Sequence, residues 1–132
     1  MMQHVHFDEA KIAAKNEEIR ARYAEKINSP GVEGVEARLK DAVMPPLIVG
    51  LIREINRGTK PEDLHGGVSS LIAHAAITYI FSATGGTEGS LEARALVANL
   101  LMLELGEEIG HALNKGNDAI IGHVAAEPSG RA

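Results

Sequence analysis

Cysteine is absent from this chain, and so is tryptophan. The first absence excludes disulfides, thiolate metal sites and thiol nucleophiles. The second, with only two Tyr and two Phe, leaves a core to be built from Leu, Ile, Val, Ala and Met. Aliphatic interiors of that kind suit helix packing. A run of basic residues is also missing: the thirteen Lys and Arg are scattered, and the formal charge is −5. Such an acidic protein offers no surface to a row of phosphates, so neither nucleic acid nor an anionic membrane is expected as a partner. The window expected to be most apolar, Leu91 to Leu105, contains Glu92, Arg94, Asn99 and Glu104 and is too short and too polar to span a bilayer. Residues 1 to 30 are heavily charged and hold no apolar run, so no secretory signal is expected and a cytoplasmic location is.

Catalytic motifs are scarce as well. No Ser, His and Asp ordering resembles a nucleophile elbow. The stretch His65-Gly66-Gly67-Val68-Ser69-Ser70 has glycines before an apolar run but lacks the Lys and the spacing of a phosphate loop. No enzyme activity and no cofactor are expected from these residues.

What the chain does contain is helical periodicity. Its 132 residues fit one domain, taken as residues 1–132, with an extended arm at 1–7 and a loosely docked tail at 117–132. Asp8 reads as an N-cap, and Phe7 with Ile12 has the spacing of a hydrophobic staple. A helix over 8–27 then carries a narrow stripe of Ile12, Ile19, Tyr23 and Ile27. Ser29 as cap and Pro30 at the first helical position open a second helix over 30–43, on which Val32, Val35, Leu39 and Val43 recur at helical spacing. Pro45 and Pro46 remove two successive backbone donors, each costing an uninterrupted helix about 3 kcal/mol or more, so a break is expected there. A third helix over 46–57 presents Leu47, Ile48, Leu51, Ile52 and Ile55 and stops at Gly58.

The stretch from Thr59 to Gly116 reads as two long helices, 62–84 and 89–115, folded back around Gly85, Gly86 and Gly89. Thr59 with Glu62 resembles a capping box, Thr87 or Ser90 opens the second arm, and Gly116 closes it. The first arm carries Leu64, Val68, Leu71, Ile72, Ala75 and Tyr79 as its stripe. Gly66 and Gly67 weaken its first turns by about 1 kcal/mol each relative to Ala, which favours a start near Val68. The second arm has Leu91, Ala98, Met102, Leu105, Ile109 and Leu113 on a central seam, and Val97, Leu100, Leu101 and Leu103 make its middle apolar nearly all round. The expected architecture is an all-α, up-and-down helical bundle of four to five helices with this long antiparallel hairpin at its centre. The tail segment 119–124 is expected to pair with residues 3–7 as a short strand or to dock in extended form, with the last five residues loose.

Two Glu-x-x-His pairs, Glu62 with His65 and Glu108 with His111, stand at mirrored distances from the hairpin turn. Di-iron bundles use such pairs on converging helices, so these four residues are the candidate metal site. Their phase opposes it. At about 100° per residue, Glu108 lies roughly 100° and His111 roughly 160° from the centre of the second arm's seam. A solvated polar face is the favoured reading. His4 and His6 alternate as two imidazoles on one side of an extended arm could, and exposed terminal histidines are the simpler account. His74 and Asn99 stand opposite each other across the hairpin, as a register-fixing polar pair or as part of a small-ligand pocket with His65, Ser69 and Ser70.

The reading that follows is a non-enzymatic, homo-oligomeric interaction or scaffold protein, a dimer in the first instance. The second arm has more apolar surface than three small helices can cover, and the shared patch is expected around Ile77, Phe81, Val97, Leu100 and Leu101. The alternatives are a metal-binding bundle using the Glu and His pairs, and a small-ligand-binding bundle.

Overall fold

The structure, a computed structural model, describes residues 5–115 and 130–131. It is all-α: β1 (Val5–His6), α1 (Glu9–Ala24), α2 (Gly31–Arg57), α3 (Pro61–Ala83), a 3-10 turn at Gly86–Glu88, α4 (Leu91–Asn114) and β2 (Gly130–Arg131). Chain contacts divide these elements into two compact units at Thr59 and Lys60, one holding α1 and α2 with the strands, the other α3 and α4.

In the first unit Asp8 caps α1 as its position implies, its carboxylate accepting from the amides of Ala10 and Lys11. Ile12, Ile48 and Ile52 form the buried core, with Phe7, Ile19, Met44 and Val49 packed against it. Asn16 is buried beside them and donates to the Pro45 carbonyl at 3.4 Å. β1 pairs antiparallel with β2, Val5 with Arg131 and His6 with Gly130. Gly130 and Arg131, expected to be loose, are therefore paired, and segment 119–124 lies outside the described residues.

α2 differs from the sequence expectation in one consequential way. It is a single helix that includes Pro45 and Pro46, so no break divides it and the chain has four helices among the described residues. Pro45 is buried and contributes to the packing that holds the segments on either side of it to α1. Because the helix does not break, the core face set by Ile48 and Ile52 continues in phase through Pro45 to Ala37 and Gly34, all of them buried. The repeat of Val32, Val35, Leu39 and Val43 is thereby turned to the opposite side and is exposed. A break would have let each half present its own apolar face; continuity allows only one face to reach α1.

Other helix ends also differ. Pro30 is the N-cap of α2, with no side-chain cap bond, and Gly31 is the first helical residue. Thr59 does not cap α3; its hydroxyl donates to Glu54 Oε2 at 2.6 Å, and α3 starts at Pro61, one of the residue types tolerated in a first turn because its missing N–H has no helical partner there. α3 runs through Gly66 and Gly67 over Pro61–Ala83, close to the expected 62–84, and does not take the alternative start near Val68. In the hairpin turn Gly85 and Gly86 take positive φ of 91° and 62°, a region glycine enters without steric cost. Ser90 caps α4, its hydroxyl accepting from the Ala93 amide at 3.1 Å.

Candidate functional site

The hairpin is anchored at its turn. Arg94 donates to the Gly86 carbonyl at 2.7 Å and stacks over Phe81, its guanidinium carbon 5.3 Å from the ring centroid. Beyond that clasp the two helices cover little of each other. No residue of α3 or α4 is buried. On α3 the half-covered positions within the helix are Leu64, Val68, Ala76 and Ile80, whereas Leu71, Ile72, Ala75 and Tyr79 of the expected stripe are exposed. On α4 Val97, Ala98 and Leu101 are half-covered, while Leu91, Met102, Ile109 and Leu113 of the expected seam are exposed, Leu91 by 81%. A contact between two helices shields one narrow strip of each, and a helix that is apolar nearly all round leaves the rest in water.

The outcome is a broad apolar surface: Ile72, Ile77, Tyr79 and Phe81 on α3, and Leu96, Leu100, Met102, Leu103 and Ile109 among others on α4, all exposed. Ile77, Phe81 and Leu100 belong to the patch read from the sequence. Val97 and Leu101 do not lie fully open, because they are half-covered. Sequence reasoning missed Leu96, and it missed that α3, among the described residues, is long and apolar enough to cross a membrane by length and composition. The signal for the second point was present: from Leu64 to Thr87 there is no Asp, Glu, Lys or Arg. Charge in the hairpin gathers instead at its open end, with Glu62 and Asp63 in the first turn of α3 and Glu104, Glu107 and Glu108 toward the end of α4.

The polar candidates do not assemble. Glu62, His65, Glu108 and His111 are all exposed, and among the described residues no three His, Asp or Glu side chains gather where they could hold a metal ion. His65, Ser69, Ser70 and His74 are exposed as well. His74 turns back on its own helix, Nδ1 lying 2.7 Å from the Ser70 carbonyl and 3.3 Å from its hydroxyl, a geometry in which Nδ1 carries the proton and donates to the carbonyl. It is not paired with Asn99, which is exposed. His4 lies outside the described residues. Two open clefts occur in the first unit: one of about 690 Å³ beside β1 and the end of α2, including Arg53, Asn56 and Arg57, and one of about 440 Å³ between α1 and α2, including Tyr23, Lys26 and Met44. His6 lines the first cleft, and neither cleft includes Glu62, His65, Ser69, Ser70, His74, Glu108 or His111.

No protein family, no curated protein and no solved structure matches this chain.

Proposed function

We infer that this is a non-enzymatic assembly protein whose α3–α4 hairpin is completed by the hairpin of a second copy, the two forming a four-helix arrangement. One observation carries the reading: the hairpin buries no side chain while exposing large apolar ones along both helices. Ordering each residue costs about 1–2 kcal/mol of backbone entropy, and most of the stability of a protein helix comes from packing an apolar face rather than from helix propensity. A hairpin therefore needs apolar burial that this one does not obtain from its own two helices. A second copy supplies equally long helices of the same character, and a two-fold contact buries each patch twice.

Charge selects the arrangement. Side by side in the same direction, two copies would bring their acidic open ends together. In the opposite direction, each acidic end lies beside the turn end of the other, where Arg94 offsets one of the two carboxylates, Glu88 and Glu92, and the negative charge is smaller. The protein so described acts in the cytoplasm, and with its basic residues scattered it takes no nucleic acid.

Light scattering at micromolar concentration tests this reading, with the expected mass at least twice 14.0 kDa. Leu100→Glu places a carboxylate in the shared surface and raises the concentration at which assemblies dissociate by at least about tenfold, the equivalent of about 1.4 kcal/mol. A wild-type monomer would refute it. The length and composition of α3 favour one second reading, a helix seated in a bilayer. Its antiparallel partner α4 carries Glu92, Arg94, Glu104, Glu107 and Glu108, and each charge at membrane depth is expensive. Flotation with neutral lipid vesicles separates the two readings: the assembly stays in the aqueous fraction, and a membrane hairpin floats.

A further inference from the structure

The outward stripe of α2 is a second apolar surface, separate in sequence from the hairpin. Val32 is 81% exposed and Leu39 61%, with Val35 and Val43 also open. Their spacing of three, four and four residues puts them on one side of the helix. That side is opposite the buried Gly34, Ala37, Ile48 and Ile52. The same face continues along Ala42, Pro46 and Gly50, all exposed, which add little bulk that would hold another helix away.

The stripe is nearly symmetric about its own middle. Two apolar residues, Val32 and Val35, precede Ala37, and two, Leu39 and Val43, follow it. The charges beside them are divided by sign: Glu33 and Glu36 lie on the N-terminal side, Arg38 and Lys40 on the C-terminal side. A copy of this segment laid antiparallel across it, on a two-fold axis near Ala37, brings Val35 level with Leu39 and Val32 level with Val43. The same operation sets Glu36 of each copy near Lys40 of the other. Parallel pairing would instead put acid beside acid and base beside base. Opposed helix dipoles favour the antiparallel choice further.

We propose that this half of α2 is a self-recognition surface, and that its occupant is the same stripe of a second copy. The existing ion pairs do not oppose this. Lys26 with Glu33 and Lys40 with Glu36 are i-to-j contacts between exposed side chains, which contribute little where they stand and can be shared with a partner. A chain with two separate self-complementary surfaces assembles beyond a dimer, closing as a tetramer with two kinds of two-fold contact or extending as a filament.

Mass measurements decide between this and a single interface. Val35→Glu with Leu39→Glu is expected to reduce the assembly to a dimer, half the mass of a tetramer, with helicity unchanged, because both residues are exposed and outside the core. Glu36→Lys sets lysines against Lys40 of the partner and lowers the mass in the same direction. The double variant Glu36→Lys with Lys40→Glu reverses the pattern, keeps it self-complementary and restores the mass. If Leu100→Glu proves silent while the stripe variants still halve the mass, the hairpin reading fails and this one stands. A mass unmoved by Val35→Glu with Leu39→Glu, or not restored by the double charge exchange, overturns it.

Discussion

Asn56 grips the backbone of Phe7 from both ends of its amide, Oδ1 accepting from the Phe7 N–H at 2.8 Å and Nδ2 donating to the Phe7 carbonyl at 2.8 Å. A side chain near the end of α2 thus acts as a strand partner for the residue just after β1, forty-nine positions away. It also holds Phe7 where its ring packs against Ile12, Ile48 and Ile52.

Asn56→Ala removes both partners of a partly buried residue at once. The expected loss of stability is about 1–3 kcal/mol, the cost of unsatisfied buried polar groups. Urea denaturation at a fixed protomer concentration measures it, the fixed concentration being necessary because assembly stabilises the folded chain by mass action. A loss below about 0.5 kcal/mol would mean that water replaces the amide at little cost.

Pro46 is exposed inside α2, where it lacks the amide that would bond to the Ala42 carbonyl. Pro46→Ala restores that donor and relieves the ring's crowding of the preceding turn, so it is expected to stabilise the first unit by about 1–3 kcal/mol. A lower midpoint in the same denaturation experiment would instead show that the proline shape is required. Pro45 is a poorer test, because it is buried and its removal leaves a void.

Gly66 and Gly67 have helical backbone and open space where a Cβ would stand. Each Gly→Ala change is expected to raise stability by about 0.5–1 kcal/mol and to leave the assembly mass as it was. Circular dichroism and light scattering on the same samples report both quantities. A fall in mass with helicity intact would locate these glycines at a close helix contact between copies.

Glu62, His65, Glu108 and His111 are exposed, and no three such side chains gather among the described residues; the purified protein is expected to carry no stoichiometric transition metal. Elemental analysis checks this directly. Near-unit zinc, iron or manganese, lost in His111→Ala with the fold intact, would show that two copies complete a site that one does not contain.

Much of the secondary structure was written locally. Asp8 before an apolar stripe, Ser90 before α4, and the glycines between Ala83 and Ser90 each act within a turn or two of themselves, through a hydrogen bond to a nearby amide or a φ that only glycine adopts freely. The all-α class followed from those signals and from an apolar composition poor in aromatics. The prolines of α2 and the glycines of α3 carried equally local signals of the opposite sense, and there the helices formed regardless. A preference of about 1–3 kcal/mol per residue yields when the segments on both sides are bound to a common surface, as the segments flanking Pro45 are bound to α1.

The candidate surface was legible only in part. Periodicity named Ile77, Phe81 and Leu100 but could not orient α4, since a helix apolar nearly all round satisfies any direction. It also gave no warning that Val32, Val35, Leu39 and Val43 would face outward. That followed from the continuity of α2, which ties the phase of one half to the packing of the other. Sequence by itself determined the caps at Asp8 and Ser90 and the glycine turn between α3 and α4, because those choices depend on neighbours along the chain. Tertiary structure decided which apolar faces are covered, because a helix has several faces, one phase, and only so many partners to lay them against.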